Sequence, residues 1–235
     1  MFKIFVLFLS LCLTVGITAA RAGDRPILVE LFTSEGCSSC PPADALLAEL
    51  ASRPDVLALS FHVDFWDRLG WKDPFSNREA TQRQNRYAAL LDLATVYTPQ
   101  IVVDGGWQAV GSDRADVEHA LDLARRDHQE LSVTLALDRG QAQIKLGPGS
   151  DAVAASVLLI GFDRRHVTAV KRGENGGRIL SHVDVVRGLE EIARYSGTAG
   201  TIAAPIRWNC DRIAVVLQAA DGRVHCVAVS DAEPL

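Results

Sequence analysis

The stretch Ile27-Leu28-Val29-Glu30-Leu31-Phe32-Thr33-Ser34-Glu35-Gly36-Cys37-Ser38-Ser39-Cys40-Pro41-Pro42-Ala43-Asp44-Ala45-Leu46-Leu47-Ala48-Glu49-Leu50 decides the fold. Residues 27–32 are almost continuously apolar, as expected of a strand covered on both faces. Proline belongs in a first helical turn, and Ala43, Leu46, Leu47 and Leu50 then recur on one face, so a helix starts at the cysteines. A buried strand that runs through a Cys-x-x-Cys turn into a helix calls for an α/β layer.

Outward from that stretch, residues 56–63 read as a second strand, followed by an irregular aromatic segment containing Phe65, Trp66, Trp71 and Phe75. Ser76-Asn77-Arg78-Glu79 has the form of a capping box with Ser76 as the cap. Ala80, Gln84, Tyr87, Ala88 and Leu91 keep helical spacing behind it, to about Leu93. Residues 100–103 and 108–110 form a hairpin around Asp104-Gly105-Gly106, and Ser112 is placed to cap a third helix carrying Val117, Ala120, Leu121 and Ala124. After Asp127 the helical period gives way to period-two runs: 131–137, 141–146, 153–162, 166–171, 179–186, 213–218 and 223–229. Turn residues such as Asp138-Arg139-Gly140 and Asp221-Gly222 separate them. That pattern predicts a mainly antiparallel β-sandwich. The expected organisation is an α/β domain over 23–128, with the segment 64–93 inserted in it, followed by a β-sandwich domain over 129–235.

Composition narrows the function. The 235 residues carry 24 Lys and Arg against 29 Asp and Glu, with no basic block longer than two residues. This removes the electrostatic footing of nucleic-acid binding. Residues 1–22 hold one early cation, Lys3, then an apolar run from Ile4 to Ile17 and Ala20-Arg21-Ala22, the pattern of a secretory signal peptide. The run is shorter than the roughly 20 residues of a spanning helix, so no stable membrane span is expected after cleavage. Cleavage would leave 22 cationic and 29 anionic residues and four cysteines: Cys37, Cys40, Cys210 and Cys226. The expected product is acidic and exported to a compartment where disulfides persist, in a bacterium the periplasm.

The Cys37–Cys40 pair is the most specific chemical signal. A helix amino terminus offers unpaired N–H groups and partial positive charge, which favour a thiolate on the first cysteine. Cys37 is therefore the expected nucleophile, and Cys40, one turn on and inward, the thiol that resolves a mixed disulfide. Glu35, two residues before Cys37, sets a negative charge against the helix dipole and argues against an extremely acidic Cys37.

Together with Thr98-Pro99, which leads a strand after a helix, residues 27–32 and 37–40 resemble the thioredoxin fold. More closely, residues 29–44 with Phe61-His62-Val63-Asp64-Phe65-Trp66-Asp67 and Thr98-Pro99-Gln100 resemble a secreted bacterial thioredoxin-like family of unassigned substrate. The resemblance implies a cis bond before Pro99, with Pro99 screening the cysteines and the Thr98 backbone pairing with a substrate segment. It also implies a buried acid on the first strand that moves a proton for Cys40. Glu30 matches that acid when one extra residue is allowed before Cys37, the other reading being a salt-bridged or edge glutamate. The implied activity is thiol–disulfide exchange with a protein thiol or disulfide, with no organic cofactor.

Other readings stay open beside it. The pair Cys37–Cys40 could be a structural bridge in a secreted, non-enzymatic binding module, or join His62 in a copper or zinc site. Trp66, Trp71 and Phe75 serve either as a platform for unfolded polypeptide or as their loop's own small core. Asn175-Gly176 marks either a tight turn with Arg172, Glu174 and Arg178 as its solvated rim or a ligand contact. A two-residue turn at Asp221-Gly222 sets Cys226 against Leu217 and leaves Cys210 seven residues away, about 23 Å along an extended strand. A Cys210–Cys226 disulfide then requires the chain to double back at Asn209.

Overall fold

A computed structural model describes residues 25–127, 131–150 and 154–230; the expected leader over 1–22 lies outside them. Eleven strands and three α-helices follow in the described residues. The first half contains β1 (Ile27–Thr33), α1 (Pro41–Ala51), β2 (Val56–His62), α2 (Arg78–Leu90), β3 (Gln100–Val103), β4 (Trp107–Val110) and α3 (Arg114–Arg126). The second half is all strand: β5 (Val133–Asp138), β6 (Gln141–Leu146), β7 (Ala155–Ala169), β8 (Ile179–Tyr195), β9 (Gly200–Pro205), β10 (Arg212–Ala219) and β11 (Val224–Val229).

The fold is mixed α/β, with one large, mainly antiparallel sheet and one small sheet. The large sheet has the order β11-β10-β7-β8-β2-β1-β3-β4, and the small one β5-β6-β9. The strands expected to form a separate sandwich therefore do not keep to themselves. β8 lies beside β2 in parallel, with Ser60 opposite Val185, and joins both halves of the chain into a single sheet. A sandwich does exist locally, because β5, β6 and β9 pack on the outer part of the large sheet through Val133, Ile144, Val157, Leu159, Val215 and Leu217.

Period-two alternation explains the layers. On β1, Ile27, Val29 and Leu31 face α1 and α3, while Leu28 and Phe32 face α2. On β10, Ala214 and Val216 share the α2 side, and Ile213, Val215 and Leu217 face the small sheet. Both faces are covered, so β1 and β2 are buried throughout.

Two caps differ from expectation by one residue. Asn77, not Ser76, caps α2 by accepting from the Ala80 N–H at 2.8 Å, while Ser76 Oγ donates to Asp67. Asp113, not Ser112, caps α3, accepting from the Ala115 and Asp116 N–H groups. In both cases the neighbouring residue has the extended backbone that a cap requires. Cys226 stands opposite Leu217, as the turn arithmetic expects, and Cys210 and Cys226 are separate, buried free thiols.

Candidate functional site at the start of helix α1

Cys37 and Cys40 are joined in a disulfide, with their Cα atoms 5.5 Å apart. Cys40 is the N-cap residue of α1 with helical φ and ψ, and Pro41 opens the first turn. Both cysteines are fully buried, while Ser38 and Ser39 between them are exposed. Ser39 Oγ lies 3.4 Å from Cys37 Sγ.

The Thr98–Pro99 bond is cis. Gly111, just past β4, donates its N–H to Pro99 O at 2.9 Å. A Cβ on Gly111 would stand 3.1 Å from Ala43 Cβ and 3.2 Å from Pro99 Cβ, so Pro99 and the first turn of α1 flank the same glycine. The aromatic segment completes the frame. Trp66 Nε1 donates to Thr98 Oγ1 at 2.9 Å. A Cβ on Gly36 would meet Trp66 Cβ at 2.9 Å, closer than such atoms approach, so only glycine lets Trp66 pack there. Trp66 thus ties the residue before Cys37 to the residue before Pro99.

Trp71 and Phe75 are also anchored inside the molecule. Trp71 Nε1 donates to Glu35 at 2.8 Å, and Phe75 stacks between His62, His166 and the Arg187 guanidinium. All three aromatics are partly buried in this frame.

Glu30 is placed away from these groups. It shares the α2-facing side of β1 with Leu28 and Phe32, across the sheet from α1. There Arg83 donates to both its oxygens at 2.5 and 3.0 Å, and the Tyr87 hydroxyl donates to it as well. Gln218 closes the cluster on Arg83 and Tyr87. Burial lowers the Arg83 pKa and Glu30 raises it, with a net shift upward; burial pushes the Tyr87 hydroxyl up too. Glu30 is the salt-bridged glutamate of the alternative reading.

On the α1 side lies a second buried ionisable cluster. Glu35 N–H donates to Asp73 at 2.8 Å, and Asp73 is bonded to His62 Nδ1 at 2.6 Å. Burial raises the Asp73 pKa, but His62 and the N–H groups of Glu35 and Phe75 outweigh it and hold the carboxyl below its ordinary value. From β8, His182 stacks edge-on to His62 with ring centres 4.7 Å apart. Its Nε2 lies 3.3 Å from Glu35 Oε1 and its Nδ1 3.8 Å from Asp44. Asp44 accepts from Thr33 Oγ1 at 3.0 Å. Burial lowers the His182 pKa, yet Asp44 and Glu35 together raise it to about 9, so the imidazolium persists at neutral pH. Both His182 contacts fall outside hydrogen-bond geometry and act as charge attraction. Glu35 Oε1, His62 Nε2 and both His182 nitrogens are buried without a hydrogen-bond partner. The charge of Glu35 therefore meets an opposite charge, which weakens its expected opposition to the helix dipole.

The turn between β7 and β8 is more than a solvated rim. Asn175 is fully buried, and its Nδ2 donates to the carbonyls of both Glu35 and Cys37 at 2.9 Å. The Ser38 N–H donates to Glu174. Among the described residues, no group of three or more His, Cys, Asp or Glu side chains converges as a metal-binding set. His62 is committed to Asp73 rather than joined to the two sulfurs.

A family model described as a protein of unknown function, DUF1223, matches residues 28–219, which include every site residue just named and stop short of β11. The chain belongs to that family. An X-ray structure of a protein from Agrobacterium tumefaciens is similar at 31% identity and a TM-score of 0.75, over 90% of this chain and 95% of that one. HBP35 of Porphyromonas gingivalis shares the fold at 14% identity and a TM-score of 0.61, over 90% of this chain and 77% of that one. The comparison with curated proteins gives no match.

His182 and Asp44 are residues that sequence reasoning does not assign to the site, and it reads Asn175 as part of a turn or as a ligand contact. One local signal was present: His182 shares the buried face of its strand with Leu180, and a lone ionisable group there needs a partner.

Proposed function

We propose that this DUF1223 protein carries out thiol–disulfide exchange with protein thiols in an exported compartment, using Cys37 and Cys40 in a thioredoxin-like arrangement. The observation that carries this reading is the placement of the Cys37–Cys40 bond at the start of α1. It is framed by Trp66, Thr98 and Pro99 and backed by ionisable groups on the same side of the sheet. A disulfide closing so short a loop contributes little by restraining the unfolded chain, so stability alone is a weak reason for it.

In the oxidising direction, a substrate thiolate attacks Cys37 Sγ and the Cys37–Cys40 bond breaks. Cys40 leaves with the electron pair and takes up a proton. A second substrate thiolate then attacks the substrate sulfur of the mixed disulfide and releases Cys37 as a thiolate. The substrate loses two electrons and the protein gains them; reduction of a substrate disulfide is the reverse. Thr98 and Pro99 would line the groove for the substrate backbone.

Full burial of both cysteines favours a second reading, a structural clasp in a binding module. The Cys40→Ala variant separates the two. Treated with a model peptide disulfide, it should hold a stable mixed disulfide at Cys37, seen as an intact-mass increase that a dithiol removes. A Cys37 that stays unmodified in the folded variant supports the clasp.

A further inference from the structure

If Cys37 and Cys40 exchange disulfides, Cys40 must lose a proton when it attacks and regain one when it leaves, although its side chain is buried. Glu30 is on the wrong side of β1 for this, already bound by Arg83 and Tyr87. We infer that Asp44 is the base that takes the Cys40 proton, and that His182 and Glu35 position and charge it. This deepens the exchange reading and rests on it.

Helix geometry supplies the first argument. Asp44 is four residues after Cys40, and its N–H donates to the Cys40 carbonyl at 3.1 Å. Side chains on a helix lean toward its amino terminus, so a residue at i+4 covers the one at i. Asp44 is buried among the inward-facing residues of α1, and Thr33 fixes one carboxylate oxygen.

The charge pattern supplies the second. Buried charges are costly unless fully paired, yet this cluster leaves Glu35 Oε1, His62 Nε2 and both His182 nitrogens without hydrogen bonds. The Glu30 cluster, equally buried, leaves no such atom on Glu30, Arg83 or Tyr87. Asp44 and Glu35 face His182 from α1 and the loop before it. His62, bonded to Asp73, faces it from β2. His166, bound to Asp163, is its cross-strand partner on β7. Asp44, His182 and Glu35 thus form one buried row of opposite charges, with His182 3.8 Å from Asp44 and 3.3 Å from Glu35.

The step balances. Cys40 S–H passes its proton to Asp44 and attacks Cys37 Sγ; the Cys37–Cys40 bond forms, the bond from Cys37 to the partner sulfur breaks, and the partner leaves as a thiolate. Release of the proton from Asp44 to bulk water resets the base.

The reaction of reduced protein with dithiobis-nitrobenzoate isolates this step. Attack by Cys37 releases a first coloured thiolate, and resolution by Cys40 releases a second. Stopped-flow traces from pH 5 to 10 should show the second phase levelling off above its acid limb in the unaltered protein. In Asp44→Asn it should slow roughly 100-fold at pH 7, the scale of a lost general base, and keep rising with pH without a plateau. In His182→Gln the acid limb should move to higher pH, because removing a cation disfavours both the Asp44 carboxylate and the Cys40 thiolate. Thr33→Val leaves the charges in place and should give a smaller slowing, which keeps the test available if Asp44→Asn does not fold. Second phases that match the unaltered protein in the folded variants overturn the assignment of Asp44. No second phase in the unaltered protein overturns the exchange reading beneath it.

Discussion

The two faces of β1 each bury a charged cluster, and they are built differently. Toward α2, Glu30 meets Arg83 through two hydrogen bonds and Tyr87 through a third, with Gln218 completing the set. Every polar group of the Glu30, Arg83 and Tyr87 side chains finds a partner, and the result fastens α2 to the large sheet. Toward α1, Glu35, Asp44, Asp73, His62 and His182 are buried to the same degree but only partly hydrogen-bonded. A satisfied buried network specifies structure, whereas a partly satisfied one retains capacity to gain and lose protons. The cysteines lie beside the second.

Substitutions can break this contrast. The largest effect is expected at Arg83→Met, which leaves the Glu30 charge buried and unpaired. Denaturant unfolding should show a loss of about 3–5 kcal/mol, as measured for broken buried pairs. A loss below about 1 kcal/mol would place the cluster among dispensable contacts.

The second effect tests the α1 side through pH. The folded pKa of His182, about 9, lies above the ordinary 6.5. Its contribution is therefore complete below about pH 6.5 and disappears as pH rises through 9. Stability should fall by on the order of 3 kcal/mol between those limits. In His182→Gln that part of the pH dependence should be gone; an unchanged decline would assign it to other groups.

The smallest effect concerns the turn that holds the cysteine loop. Asn175→Ala removes two donors from the carbonyls of Glu35 and Cys37. It should cost about 1–3 kcal/mol and make Cys37–Cys40 several-fold faster to reduce with dithiothreitol. Equal reduction rates would show that this turn does not control access to the sulfurs.

Much of the first half was legible because its elements are local. Continuous apolar character gave β1 and β2, prolines and spacing gave α1, and the Asp104-Gly105-Gly106 turn gave the β3–β4 hairpin. Glu30 was misdirected by likeness: a buried acid on the right strand drew the proton-transfer role, while the parity that turns it toward α2 depends on which helix covers which face. The joining of β8 to β2 was not legible, because Ser60 and Val185 meet across more than a hundred residues and no local pattern encodes that pairing. The length of β7 and β8 was hidden by Asp163-Arg164-Arg165, which separate the runs 153–162 and 166–171, and by Arg187-Gly188, which follow the run 179–186; Gly161 and Gly188 stand opposite each other on these strands. At those glycines a Cβ would collide with Trp208 at 2.8 and 1.9 Å, so they make room for an indole inside a continuing pair of strands. His182, Asp44 and Asn175 come from three separate segments, and only tertiary structure brings them to the cysteine loop and the first turns of α1.

The central claim is that Cys37 and Cys40 exchange electrons as a pair, and equilibrium titration in glutathione buffers measures it most directly. The account predicts a reversible two-electron transition above about −300 mV, the region of labile rather than structural disulfides, which vanishes in Cys37→Ser. A Cys37–Cys40 bond that stays oxidised throughout the titration, and yields only when the protein unfolds, would contradict it.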